Sequence, residues 1–255
     1  MSTIYDTVRH ICLSLPETDE IISHGSPNFR VRNKSFAIYS VNHHGDNKVA
    51  MLINVAAEFQ QMLVTSAPNY FFVPPYVGHR GWVGIELNHD LAWQRISDLS
   101  FAAYQRTAPK TLASKCSPTV TTGPSEIMTA EQINPMLSDA NQSILGPIQA
   151  LCLGLPEVTS DLQFGNPCFR AGKKSFATVH LRNSRTYLQI WVGLDQQVQL
   201  TSFDRRFSVP PYVGHNGWVD LDVTDKQNQE EIKKLVEASY RHFALKRMLK
   251  ILDAY

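Results

Sequence analysis

The chain repeats itself, and this internal repeat constrains its fold more than any other feature of the sequence. Three segments recur in the same order: CLSLPE at 12–17 as CLGLPE at 152–157, KSFA at 34–37 and again at 174–177, and VPPYVGHRGWV at 73–83 as VPPYVGHNGWV at 209–219. Collinear recurrence of this kind indicates a duplicated structural unit. We therefore predict two domains, at 1–115 and 140–255, joined by a Ser/Thr/Pro-rich linker at 116–139.

The periodicity of the apolar residues predicts the same α+β fold for both copies. Ile4, Val8 and Ile11 lie on one face of a helix that Pro16 should end, and copy two repeats this spacing. Short runs rich in β-branched and aromatic residues follow, and they predict an antiparallel meander. A short helix near 55–66, a hairpin carrying the VPPYVGHxGWV segment and a final helix complete the pattern. We expect two tandem repeats, each an antiparallel sheet packed with helices.

Glycine and proline give two predictions about the backbone. Gly78 and Gly81 flank the centre of the VPPYVGHxGWV hairpin, where both permit a positive φ in a tight turn. Copy two has Leu245 where copy one has Pro109. Because this proline is missing, we expect the last helix of copy two to continue through Leu252.

The composition indicates a folded protein of the cytoplasm. Apolar residues make up 43% of the chain and charged residues 18%, which suits a packed core rather than disorder. No apolar run approaches the ~18 residues of a membrane-spanning helix, and MSTIYDTVRH lacks the features of a secretory signal. We expect no membrane partner. The cysteines Cys12, Cys116, Cys152 and Cys168 are too widely spaced for a disulfide framework or a zinc site, so we expect reduced thiols, with Cys12 and Cys152 in the core.

Catalytic motifs are missing from the sequence. It contains no phosphate-binding loop, dinucleotide-binding glycine motif, nucleophile elbow or zinc-protease helix. His43 and His44 are absent from copy two, and Cys168 replaces Asn28 of copy one, so neither a metal site nor a nucleophile is shared by the copies. We therefore predict a non-enzymatic protein without a cofactor or a metal.

Both copies resemble the MmcQ/YjbR family over nearly their whole length. The resemblance rests on LPE after the first helix, on HGSPNFR or FGNPCFR leading into a strand, on KSFA, and on VPPYVGHxGWV. It implies a compact α+β fold that presents two loops like a double-winged DNA-binding surface. It does not imply a particular activity. Three positions differ between the copies: His24 becomes Phe164, Arg80 becomes Asn216 and Pro109 becomes Leu245.

The resemblance and the placement of cations lead to a first hypothesis, which is DNA binding through paired wing-like hairpins. The candidate phosphate contacts are the basic residues of the two hairpins in each copy: Arg30, Arg32, Lys34, His79, Arg80, Arg170, Lys173, Lys174 and His215. The structural alternative is that the cations are solvated hairpin tips, that the histidines brace a turn, and that the tryptophans belong to the core. Both interpretations stay open at this stage.

The distribution of charge limits this hypothesis to weak backbone contacts. Copy one holds ten basic and nine acidic residues, copy two holds fourteen and eleven, and the linker holds three acidic residues only, so the net charges are +1, +3 and −3. Dedicated DNA-binding domains are more basic than this. Any affinity for phosphate has to come from a local patch.

The aromatic residues lead to a second hypothesis, which is the binding or sequestering of an apolar or aromatic small molecule, as in a resistance-type protein. The candidates are Phe72, Tyr76, Trp82, Trp191, Tyr212 and Trp218. In this hypothesis the two domains dock as an intramolecular pseudo-dimer, and these residues line an apolar cleft between them. Trp191 has no aromatic counterpart in copy one, so the cleft would be asymmetric.

Overall fold

The repeat corresponds to two compact units. The computed structural model describes residues 2–225 and 228–254, and the chain divides into Met1–Ile133 and Asn134–Tyr255. Each unit contains one copy of the repeat and is described separately below. Among the described residues, no helix has the length and apolar character that crossing a membrane requires.

The first unit is a six-stranded antiparallel sheet with helices packed against it. Its helices are α1 (Ile4–Leu13), α2 (Ala57–Ser66), α3 (Trp93–Thr107), α4 (Lys110–Ala113) and α5 (Ala130–Ile133). Its strands are β1 (Thr18–Ser23), β2 (Ser26–Val31), β3 (Lys34–Val41), β4 (Val49–Asn54), β5 (Phe71–Phe72) and β6 (Trp82–Glu86), in the spatial order β1-β2-β3-β4-β6-β5. The predicted α+β class is confirmed.

The second unit repeats this architecture. Its helices are α6 (Asp139–Leu153), α7 (Leu194–Phe203), α8 (Gln229–Phe243) and α9 (Lys246–Leu252). Its strands are β7 (Val158–Gln163), β8 (Asn166–Ala171), β9 (Lys174–Arg182), β10 (Arg185–Trp191), β11 (Phe207–Ser208) and β12 (Trp218–Asp222), in the spatial order β11-β12-β10-β9-β8-β7. Pro147 lies inside α6, a position that has no proline in α1.

The first helix of each unit buries the face that the sequence predicts. In α1, Thr3 and Asp6 form a capping box at the N-terminus, which satisfies backbone donors that the helix leaves unpaired. Ile4, Val8 and Cys12 are buried in the core. Cys152 is buried at the equivalent place in α6, and this burial raises the pKa of its thiol to about 12. All four cysteines are free thiols.

One strand of each sheet has no counterpart in the sequence prediction. Strand β1 pairs with β2 in antiparallel register, with Thr18 opposite Val31, and β7 pairs with β8 in the same way. Both strands lie at the edge of a sheet and are only partly buried. An edge strand with no buried face shows no alternation of apolar and polar residues, so the pattern on which the prediction relied is missing.

The segment predicted as a linker is ordered along part of its length and belongs to both units. The side chain of Asn88 donates to the carbonyl of Met128 at 2.9 Å and accepts from its amide at 2.7 Å. Ser97 donates to the carbonyl of Thr119 at 2.6 Å. These bonds attach residues after 115 to the first unit, while Met136 is buried in the core of the second.

The last helix of the second unit differs from the prediction. Helix α8 ends at Phe243, and α9 starts at Lys246 after an extended Ala244. The predicted continuous helix is therefore wrong. The chain turns at Ala244 although no proline is present there. This turn lets α9 bury the side chain of Met248 in the second core.

The glycines of the VPPYVGHxGWV segment serve two different purposes. Gly81 and Gly217 each have a φ of +83°, as predicted for a tight turn. Gly78 and Gly214 do not have a positive φ, so that part of the prediction is wrong. At Gly214 an added Cβ would lie 2.3 Å from Cγ1 of Val209, so the position is restricted by a close contact.

Replacing Gly214 should destabilise the second unit through this contact alone. We expect Gly214→Ala to lower the free energy of unfolding by about 1–3 kcal/mol because it overpacks a close contact. The control is Gly214→Ala combined with Val209→Ala, which removes the side-chain atom that the added methyl group would meet and should restore part of the lost stability. Urea unfolding would measure both. A neutral Gly214→Ala, or no rescue by Val209→Ala in the same chain, would contradict this explanation.

Candidate functional site

The second sheet has a polar face on the side away from its helices. Val179, Leu188 and Val219 belong to the core that also contains Ile232 of α8. Successive residues of a strand point to opposite faces of a sheet. His180 of β9, Gln189 of β10 and Asp220 of β12 therefore face away from the core.

This face contains a groove of about 690 Å³. Its lining includes Gln163, Phe164, Asn166, Thr178, His180, Arg182, Gln189, Tyr212, Trp218 and Asp220, and we call it the polar groove. All of these residues belong to the second unit.

Asp220 organises the floor of the polar groove although it is completely buried. It lies directly opposite Gln189 on the neighbouring strand. One carboxylate oxygen, Oδ1, accepts a hydrogen bond from Nε2 of Gln189 at 3.0 Å, and Oδ2 accepts one from Arg182 at 3.1 Å. Nε2 of His180 lies 3.5 Å from Oδ2. A buried carboxylate is tolerated when its charge is paired and its lone pairs are occupied, and these three neighbours meet that condition.

Arg182 is held in place by further contacts. It donates to the hydroxyl of Ser208 at 3.2 Å. Its guanidinium lies over the ring of Tyr187, 4.4 Å from the centroid, and His180 stacks on the same ring at 5.7 Å. The charged groups of the floor are thus paired with one another and fixed in position.

Aromatic side chains stand at the rim of the polar groove on unusual backbone. Tyr212 has a φ of +66° and is 92% exposed. Phe164, in the turn between β7 and β8, has a φ of +51° and is 66% exposed. Positive φ is costly for bulky residues, but Tyr76 and His24 of the first unit have φ values of +63° and +51° at the equivalent positions, so this conformation belongs to the repeated turns of both units.

The first unit fills the equivalent region with its own side chains. Gly84 occupies the position of Asp220, and Phe72 occupies that of Ser208. The ring of Phe72 covers Gly84 so closely that an added Cβ would lie 2.3 Å from Cζ. Lys48 lies over this ring, 5.3 Å from its centroid. The polar floor is therefore a feature of the second unit.

Three of the predicted phosphate contacts are engaged in ion pairs. Arg30 binds both carboxylate oxygens of Asp19, and Arg32 binds both of Glu17. These hydrogen bonds lower the pKa of each carboxyl group. Arg170 pairs with Asp161 at 2.9 Å. The acidic partners leave these arginines less able to attract phosphate.

The remaining predicted cations lie at exposed hairpin tips. Lys34, Lys173 and Lys174 are exposed and have no ion-pair partner among residues 2–225 and 228–254. The turn formed by His79 and Arg80 is also exposed, with Nε of Arg80 3.3 Å from Nε2 of His79.

The register brings Lys34 and Arg80 to the same end of the first sheet, at the starts of β3 and β6. Ala37 and Val83 both pair with Ile53, and each lies three residues after one of the two cations. In the second unit, His215 is exposed beside Asn216, which takes the place of Arg80. The turn at 78–81 is thus more basic than its counterpart at 214–217.

The predicted aromatic ligand residues separate into three groups. Phe72 and Trp82 pack within the first unit, where Trp82 is buried, and Tyr76 lies against His43 and His44. Tyr212 and Trp218 line the polar groove. Trp191 lines a second, shallower cavity of about 730 Å³ together with Trp218 and His242, on which Trp191 stacks. The cleft between the domains and their pseudo-dimeric docking stay predictions.

The residues of the floor were not predicted from the sequence. His180, Arg182, Gln189 and Asp220 match no motif, and each is an ordinary strand residue by itself. A signal was present in the alignment of the two copies, where Gly84 becomes Asp220 and Phe72 becomes Ser208. Polar replacements at several positions of one sheet face mark the place where the two copies differ in chemical character.

Removing the carboxylate of Asp220 should destabilise the second unit. We expect Asp220→Ala to cost about 1–3 kcal/mol, because the donors of Gln189 and Arg182 lose their acceptor. The control is Glu237→Ala, which removes a carboxylate paired with Arg241 at the surface and should cost under ~0.5 kcal/mol. Chemical unfolding of both variants would test this. Equal effects of the two substitutions would show that the network contributes nothing to stability.

Comparisons with known proteins identify the repeated unit. The YjbR family model matches residues 13–106 and 153–242, which is more than half of the chain and includes both copies. The crystal structure of the Deinococcus radiodurans protein DR2400, a DUF419 domain protein, is similar at 19% identity and a TM-score of 0.37, over 45% of this chain and 88% of that one. No curated protein matches the chain significantly. The chain therefore belongs to the YjbR family, as a tandem duplication of the family's domain.

Proposed function

We propose that this chain is a non-enzymatic binding protein whose second unit holds a small planar molecule in the polar groove. The observation that carries the proposal is the divergence of the two sheet faces. The first unit covers Gly84 with Phe72, whereas the second places Ser208 and Asp220 there and has a groove of about 690 Å³. This volume lies within the range of small-molecule sites, about 300–1,000 Å³.

The lining of the groove suits a flat ligand with polar substituents. Tyr212 and Trp218 supply aromatic surface for stacking. The side chains of the floor are fixed by their mutual hydrogen bonds, so they can orient a ligand without being reorganised. Both oxygens of Asp220 accept hydrogen bonds from the protein itself. A carboxylate used in this way favours binding over proton transfer.

Binding can be tested with naphthalene-2,3-diamine, a planar and fluorescent probe, titrated by fluorescence anisotropy. We expect the double variant Ser208→Phe/Asp220→Gly to lose at least about tenfold in affinity, or 1.4 kcal/mol, because it rebuilds the arrangement of the first unit. Phe72→Ala, which alters the equivalent face of the first unit, should bind like the unaltered protein. Circular dichroism would verify that both variants are folded. Binding that survives the double variant would refute this location for the ligand.

A second candidate function is weak binding of nucleic acid at the end of the first sheet where β3 and β6 begin. Lys34 and Arg80 support it, because they are exposed, have no ion-pair partner within the described part of the chain and lie at the same end of the first sheet, on either side of β4. Two cations at one end of a sheet make a local patch that can contact backbone phosphates without reading base sequence. Arg30 and Arg32 contribute less to phosphate affinity than their charge suggests, because each is paired with a carboxylate.

Anisotropy of a labelled random duplex at two salt concentrations would test this candidate. We expect micromolar binding whose salt slope falls by about 0.9 for each phosphate contact removed, so Lys34→Ala/Arg80→Ala should weaken binding and flatten the slope. Arg205→Ala/Lys233→Ala removes the same charge from exposed positions of the second unit and serves as the control. An equal loss in both variants would indicate only a general charge effect, and no binding at low salt would exclude the candidate.

A further inference from the structure

Asp220 also determines which hydrogen-bonding groups the polar groove offers to a ligand. The amide of Gln189 uses its nitrogen, Nε2, to donate to Asp220. A carboxylate only accepts hydrogen bonds, so the amide cannot turn its oxygen toward it. The oxygen Oε1 of Gln189 is left without a protein donor among the described residues. Gln189 is half-buried and lines the groove, so this oxygen is an acceptor available to a ligand.

His180 is oriented by the same carboxylate. Its Nε2 lies 3.5 Å from Oδ2 of Asp220, and its ring is held by stacking on Tyr187. These contacts fix the ring of His180 on the floor of the groove.

Two of the side-chain donors beside Asp220 and at the edge strand are committed to other groups, whereas Thr178, opposite Gln189, keeps its hydroxyl available to a ligand. Arg182 donates to Asp220 and Ser208. The hydroxyl of Ser175 accepts from Arg170 and pairs with the side-chain oxygen of Gln163. Gln163 itself belongs to the edge strand, where it pairs with Asn166. Of the two side chains that donate to Asp220, Gln189 is thus the one that keeps an acceptor for a ligand.

We infer that the ligand of the polar groove is an amino-substituted aromatic or heteroaromatic molecule with an N–H group that points toward Oε1 of Gln189. This inference rests on the proposed function of the second unit. A ligand of the same shape without N–H donors would leave this acceptor unpaired and lose the hydrogen bond that replaces its contact with water. One neutral hydrogen bond corresponds to about tenfold in affinity.

The test compares naphthalene-2,3-diamine with 2,3-dimethoxynaphthalene, which has the same ring system but carries methoxy groups, without an N–H, in place of the two amines. We expect the unaltered protein to bind the diamine at least about tenfold more tightly. Gln189→Leu introduces the residue that the first unit has at this position, Leu52, and should bring the ratio of the two affinities toward one. Asp220→Asn should also reduce the ratio, because an amide at this position can donate and lets Gln189 turn its nitrogen into the groove.

Each outcome bears on a different claim. Equal or tighter binding of the dimethoxy compound to the unaltered protein would overturn the inference and leave the proposed function standing. An unchanged ratio in Gln189→Leu would also overturn it, since Gln189 is the residue that carries the selection. Gln189→Met, which keeps the length of the side chain, would replace Gln189→Leu if that variant failed to fold. If neither compound binds, the proposed function is wrong, and the inference is wrong with it.

Discussion

Helices cover only one face of each six-stranded sheet, and most of what distinguishes the two units follows from this constraint. The covered face is nearly the same in both. Tyr104 is fully buried, packs edge-on against Phe36 and donates its hydroxyl to the carbonyl of Pro16. Tyr240 makes the equivalent contacts with Phe176 and Pro156. This contact joins the last long helix to the turn after the first helix, so both repeats must keep it to close their cores.

The uncovered face is free of that requirement, and the two units have used it differently. A face without helices has to be protected by its own side chains or be polar enough to meet water. In the first unit Phe72 and Lys48 protect this face. In the second unit the network around Asp220 makes it polar. The proposed ligand site lies on the uncovered face of the second unit, because side chains there do not have to complete a core.

The sequence predicted the covered face well and the uncovered face poorly, for a physical reason. Burial imposes a period on apolar residues, and this period predicted α1 and the central strands of both copies. The edge strand β1 has no such period and was missed. That omission affected the functional prediction, because Asp19 on β1 and Glu17 just before it neutralise two of the arginines selected as phosphate contacts. The alternation of a predicted strand says nothing about its neighbour across the sheet, so these ion pairs could not be anticipated.

The candidate site was missed because it consists of residues from different strands that meet only through register. Asp220 and Gln189 are 31 positions apart and become neighbours because β10 and β12 pair in one particular alignment. In the first unit the ring of Phe72 lies where a Cβ at position 84 would be, so 208 and 220 differ from their counterparts at a point of direct contact. Such a paired difference leaves no motif in either segment, and only the comparison of one copy with the other makes it visible.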